Sequence, residues 1–170
     1  TVDELKTTYL QYQSMLVKVV DVVINEANGI ATFAATSSYT IQDGAAVTAT
    51  LRQNWKAGET DLIGSVIPTG PLAVYGIGTV FSSAGQISPR TTADLVSMDA
   101  TLTDLKVNDV TVTDFDAATL TYSVELPFGA AVPAVTATAT STSATLDITQ
   151  ATVVDGGVAT VLVTAQDGEG

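Results

Sequence analysis

The chain reads as all-β: two β-sandwich units behind a short N-terminal helix. Three observations carry that reading. Residues 91–170 are 17 Thr, 13 Ala and 12 Val out of 80 positions, and β-branched side chains, stiff at χ1, favour extended backbone. Apolar residues alternate with polar ones in short runs punctuated by turn residues, the spacing of a sandwich. A helical stripe occurs only at the start, where Leu5, Tyr9, Tyr12 and Leu16 fall on one face, with Asp3 and Glu4 at the positive end of the helix dipole.

Taken in order, that stripe predicts a helix at about 3–16. Strands are then expected over 17–24, 30–36, 47–55, 62–67 and 72–81, bounded by Ala27-Asn28-Gly29, Asp43-Gly44, Lys56–Glu59 and Pro68–Pro71. Residues 82–92 hold Ser, Gly, Pro and Thr with one aliphatic, Ile87, and read as a linker. The division is therefore 1–90, a β unit with its helix, and 91–170, a second sandwich. In the second, Leu120, Tyr122, Val124 and Leu126 alternate with Thr121, Ser123 and Glu125, and Ala159, Val161, Val163 and Ala165 repeat the pattern. Its expected core is Leu105, Val112, Phe115, Leu120, Tyr122, Val124, Leu146, Ile148, Val161 and Val163, the apolar members of the alternating runs.

Composition narrows the chemistry. The chain has 0 Cys and 0 His, which removes thiol nucleophiles, disulfides, imidazole or thiolate zinc sites and histidine acid–base work. With 18 acids against 6 bases, nucleic acid is a poor partner, since phosphate binding needs clustered Lys and Arg. The imbalance lies in the second part: residues 1–90 carry seven acids and five bases, residues 91–170 eleven acids and only Lys106. We read that acidic surface as protection of an otherwise Thr/Val-rich sheet against pairing with its neighbours. Membrane insertion is not expected, because the most apolar run, Met15 to Ile24, is interrupted by Lys18 and Asp21. A start at Thr1 without a leader-like segment reads as a processed product or an excerpt.

Leu102-Thr-Asp-Leu-Lys-Val-Asn-Asp, Val112-Thr-Asp-Phe-Asp-Ala-Ala-Thr-Leu-Thr-Tyr-Ser-Val-Glu-Leu-Pro, Val132-Pro-Ala-Val-Thr-Ala-Thr-Ala and Val161-Leu-Val-Thr-Ala-Gln-Asp-Gly together resemble the cadherin-like or bacterial immunoglobulin-like β-sandwich modules of bacterial surface and secreted proteins and of phage virions. The resemblance spans residues 102–168 and implies an Ig-like fold with Phe115 and Tyr122 at core aromatic positions. It implies a spacer, support or adhesive surface outside the cell, and as a rule no catalytic residues. It also implies one more strand after Asp167-Gly168, where only Glu169 and Gly170 follow. The edge beside Val158, Val161 and Val163 is thus expected to be paired by a strand that residues 102–170 do not contain: a continuation of the chain, a segment such as 17–24, or a neighbouring subunit.

Other constellations have plainer readings beside them. Asp99, Asp104, Asp109 and Asp114 recur at every fifth residue, with Asp116 close by; such oxygen-rich groups can hold Ca²⁺, but an odd step along extended chain alternates faces, and Asx turns explain each one. No cofactor is expected. Trp55, Tyr39 and Tyr75 are the aromatics on which a glycan would stack, with Gln53, Asn54 and Asp61 for its hydroxyls, although a lone Trp in a β unit generally plugs the core. Glu26, Glu59 and Glu125 are the carboxylates open to glycosidase-like chemistry, but they fall in separate segments. Lys18 and Lys56 lack a motif for covalent catalysis, and Gly76-Ile77-Gly78 reads as a bulge or close backbone contact rather than a phosphate cradle. The function expected is a non-catalytic structural or interaction module on a bacterial surface or virion exterior, docked to like subunits or a scaffold. The alternative is a carbohydrate-binding accessory module of a secreted polysaccharide-degrading enzyme.

Overall fold

A computed structural model describes residues 1–168. The chain is mostly β, with a short helical start, and divides into two compact units, Thr1–Met98 and a second beginning at Asp99.

The helical start is two pieces, α1 (Val2–Thr7) and α2 (Tyr9–Tyr12), and not the single helix expected through residue 16. A capping box opens α1: the Thr1 side chain accepts the Glu4 N–H while the Glu4 side chain reaches back. The break has a local cause. Thr7 and Thr8 turn their hydroxyls back onto the carbonyls of Asp3 and Glu4, competing with continued helix, and Thr8 leaves helical geometry at φ −114°, ψ 25°.

Six strands follow in the first unit: β1 (Leu16–Ile24), β2 (Ser38–Asp43), β3 (Thr48–Arg52), β4 (Leu72–Phe81), β5 (Ala84–Ser88) and β6 (Leu95–Ser97). Five of them pair in the order β1-β2-β3-β5-β4, and β4 returns to β1, so the sheet closes, while β6 adds antiparallel to the start of β4. A five-stranded closed barrel therefore stands where a sandwich was expected. All its pairings are antiparallel except β3 with β5. Closure depends on β1 serving two partners: the register shifts between Val19 and Val22, Asp21 sits at φ +54°, and the bulge bends the strand from β4 toward β2. Closing the sheet gives each of the five barrel strands a neighbour on both sides, which a sandwich does not.

Period-2 alternation holds inside the barrel. Val19, Val22, Ile24, Ile41, Leu51, Leu72, Val74 and Ile87 are buried in one core with Val2 and Leu5 of α1. Phe33, Leu62 and Ile67 join it from connecting segments. The expected strands at 30–36 and 62–67 reduce to one bridge, Thr32 with Val66; their apolar residues enter the core without entering the ladder. The expected linker is instead β5 and a single 3-10 turn at Thr92–Asp94. Its lone aliphatic, Ile87, is a core residue, and Gly85 has no room for a side chain: a Cβ there would lie 1.8 Å from the Leu5 carbonyl oxygen. This absence lets α1 rest directly on β5.

The second unit has β7 (Leu102–Val107), β8 (Val110–Thr111), β9 (Val135–Ala139), β10 (Thr145–Thr149) and β11 (Thr160–Thr164). They form a three-stranded sheet, β8-β7-β9, and a two-stranded one, β10-β11. Asn108 and Asp109, at φ +50° and +64°, make the two-residue turn between β7 and β8. The expected strand over 120–126 enters no ladder. Its alternating residues did not become the core: Leu120 is 92% exposed and Val124 is also exposed, as is Leu146 on β10. Val112 and Val163 are buried as expected, whereas Leu105, Phe115, Tyr122, Ile148 and Val161 are only partly so. The reason is geometric, since two small sheets and a segment outside both ladders leave Leu120 and Val124 without cover. The further strand that the resemblance implies after Asp167-Gly168 lies outside the described residues.

Candidate functional site

The aromatics expected to stack on a glycan are not brought to one surface. Tyr39 is buried, meets Phe33 edge-on at 4.9 Å between ring centroids, and its hydroxyl accepts the Ala34 N–H. Trp55 is half-buried and donates its indole N–H to the Pro89 carbonyl at 2.8 Å. Tyr75, on β4, lies beneath the Lys18 ammonium at 5.2 Å from its ring centroid.

Two of the polar residues grouped with Trp55 fasten the segment after β3 to the end of β5 and to the residues that follow it, and the third bonds locally. Asn54 donates to Ser88, the Gln53 carboxamide oxygen accepts the Trp55 N–H, and Asp61 accepts both the N–H and the hydroxyl of Thr92. Those bonds from Thr92 hold the Asp61 carboxyl below the usual aspartate range. Beside it, Arg90 grips Asp94 through Nε and Nη2 at 2.9 and 2.7 Å, and its backbone N–H adds a third bond. Asp94, its side chain only 7% exposed, is held below its ordinary pKa first by the guanidinium hydrogen bonds, against the opposing effect of burial. This arrangement is a clasp, and sequence reasoning missed it because Arg90 falls within the stretch read as linker and Asp94 just after it.

The candidate carboxylates are likewise engaged in local structure. Glu26 accepts the Thr40 N–H with both oxygens, and Glu59 caps the Lys56 N–H at 2.8 Å. Gly76 and Gly78 sit where close backbone approach forbids a side chain, a Cβ at Gly78 falling 2.2 Å from the Tyr12 carbonyl oxygen. The recurring aspartates are spread over separate turns: Asp99 accepts from Thr101, Asp104 from Thr111 and from Lys106 at 3.2 Å, and Asp116 from the Ala118 N–H. Asp109 and Asp114 occupy positive-φ turn positions. Among the described residues, no three Asp or Glu come together as a set that could hold a metal.

The feature that does gather expected residues is a hollow of about 560 Å³ inside the second unit. Leu105 and Val112 line it, facing Tyr122 and Val124 of the free segment and Val161 and Val163 of β11. Phe115 stacks on Tyr122 at 5.9 Å between centroids, and the Tyr122 hydroxyl both accepts from the Asp116 N–H and donates to the Asp116 carbonyl, each at 2.7 Å. These two hydrogen bonds to the backbone of one residue fix the turn leading into the free segment. The two sheet edges beside the hollow are treated differently. At β9, the Gln150 carboxamide imitates a neighbouring strand, donating to the Val135 carbonyl and accepting the Val135 N–H at 2.7 and 2.8 Å. Among the described residues, β11 pairs with β10 alone, so its other side is an open edge. The residues singled out in the sequence for strand pairing stand here: Val161 and Val163 line the hollow, and Val158, just before β11, lines it too while remaining exposed.

No protein-family model, curated protein or solved structure matches the chain.

Proposed function

We propose that this chain is a non-catalytic interaction module that docks to a neighbouring protein subunit by accepting an extended strand, on the exterior of a bacterial cell or of a virion. The observation that carries the reading is the open edge of β11 beside an apolar hollow. A strand edge offers a row of backbone N–H and C=O groups, and alternating pockets beside it give a guest strand its register. A two-stranded sheet is marginal in water by itself, so a third strand supplies both ladder bonds and cover for Val161 and Val163. The exterior location draws support from the acidic, Thr/Val-rich surface and the resemblance of residues 102–168. The non-catalytic reading draws support from Glu26 and Glu59, each committed to capping backbone N–H groups.

A short synthetic peptide of alternating Val and Thr, titrated into the intact protein, tests the docking. Hydrogen exchange measured by NMR is expected to show slowed exchange at alternate amides of β11, with β5 unchanged as an internal reference. Unaltered exchange across β11 at millimolar peptide sinks the reading.

A further inference from the structure

Resting on that docking reading, we infer that the partner strand is basic: apolar residues facing the hollow alternate with Lys or Arg facing out. Three exposed acids interrupt the residues that line the hollow. Asp116 stands between Phe115 and Ala117, Glu125 between Val124 and Leu126, and Asp155 directly after Val154. The lining itself carries no ionisable group other than the Tyr122 phenol, so the interior selects apolar side chains and the flanking positions select charge. The second unit offers little base of its own to neutralise these acids: from Asp99 onward Lys106 is the only Lys or Arg in the sequence, and its ammonium is engaged by Asp104 at 3.2 Å.

The same charge argues against a second copy as the guest. Ten acids and one base lie from Asp99 to the end of the sequence, so two such units brought edge to edge repel one another. The free segment 120–126, the obvious donor by its alternation, would bring Glu125 to an acidic rim. A guest with Lys or Arg on its outward positions turns that repulsion into steering and register, which is where charged rims act most strongly.

Three peptides distinguish the possibilities: Val alternating with Lys, with Thr and with Glu, each titrated at low and high salt and read by exchange protection of β11. The Lys peptide is expected to bind about tenfold tighter than the Thr peptide at low salt, the Glu peptide weaker than both, and the spread to shrink as salt screens the rim. The triple variant Asp116→Lys/Glu125→Lys/Asp155→Lys, all at exposed positions, is expected to invert the order while leaving the Thr peptide unchanged. Glu125→Gln alone is expected to lower the Lys preference in part, which keeps the test informative if the triple variant misfolds. A Lys peptide no tighter than the Thr peptide overturns the basic partner and leaves strand docking standing, as does a concentration-dependent dimer that protects β11. Absence of protection by all three peptides overturns both.

Discussion

The two units solve the same problem in opposite ways. Each is built from short strands of alternating residues, yet the first closes its sheet and fills the inside with large aliphatics, Phe33 and a helix, whereas the second leaves two small sheets around an open hollow. The difference begins in side-chain volume. Leu51, Leu62, Ile67, Leu72 and Ile87 are fully buried in the barrel, while the second unit, rich in Ala, Thr and Val, buries only Val112, Val163 and Ala165 among its hydrophobic residues with described burial. Small β-branched residues make good strands and a thin core. A strand edge left open then becomes the place where added surface is most valuable.

The largest expected effect comes from one substitution made in both units. Phe33 is 1% exposed and contacts Tyr39, so Phe33→Ala is expected to destabilise the barrel by about 3–5 kcal/mol. Phe115 is only half-buried beside the hollow, and Phe115→Ala is expected to cost about 1–2 kcal/mol, since much of its surface is already wet. Urea unfolding followed by fluorescence of Trp55, the single Trp, reads the barrel alone, and far-UV circular dichroism reads both units. Equal losses for the two substitutions would break the contrast.

Next in size is the seat of the helix. Gly85→Ala places a Cβ 1.8 Å from the Leu5 carbonyl oxygen and 2.6 Å from the Tyr9 Cβ, so α1 must lift from β5, at an expected cost of about 1–3 kcal/mol. Gly129→Ala, in the second unit, meets nothing within 4 Å, and its penalty is only that of a side chain at φ +81°, about 1 kcal/mol. A thermal melt of each variant checks the order. A smaller effect attaches to the Arg90–Asp94 clasp. Because Asp94 is held below its ordinary pKa in the folded chain, its contribution is complete above the unfolded value of about 4 and disappears as pH falls through the lowered native value. Asp94→Asn is therefore expected to lower the melting temperature at neutral pH and to flatten its fall in acid. An unchanged acid limb would show that other carboxylates dominate.

Much of the strand content was legible because alternation and turn residues are local: Asp43-Gly44 announced the turn between β2 and β3, and the runs at 17–24 and 72–81 became β1 and β4. Barrel closure was not legible, since it depends on the bulge at Asp21, on a parallel pairing between β3 and β5, and on a strand concealed in a stretch with one aliphatic. A strand paired on both sides needs only its inward residues to be apolar or absent, and β5 meets that with Ile87 and Gly85. Alternation at 120–126 misled in the other direction, because a pattern can specify extended backbone without specifying a partner. Of the candidate site, the apolar run containing Val161 and Val163 was legible from its alternation, and the structure sets both residues against the hollow. The glycan-stacking set was not borne together, as Tyr39, Trp55 and Tyr75 owe their places to separate core, loop and strand environments.

The smallest expected effect concerns the turn that hid β5. Phe81 pairs with Ala84, so Ser82 and Ser83 form a two-residue hairpin loop, and both adopt positive φ, +49° and +62°. Such loops favour Asn-Gly or Asp-Gly, since left-handed backbone costs an ordinary residue about 1–2 kcal/mol. Ser-Ser supplies neither the signal nor the relief, which is why the stretch reads as linker. Ser83→Gly removes the Cβ strain, offset in part by the greater freedom of glycine in the unfolded chain, and is expected to stabilise the barrel by about 0.5–1 kcal/mol. The gain should appear in the Trp55 transition and leave the β11 edge unaffected, since the edge belongs to the other unit. A loss of stability in Ser83→Gly would show that the serine side chains contribute bonds that outweigh the strain, and the hairpin would then be specified by its side chains rather than by its backbone.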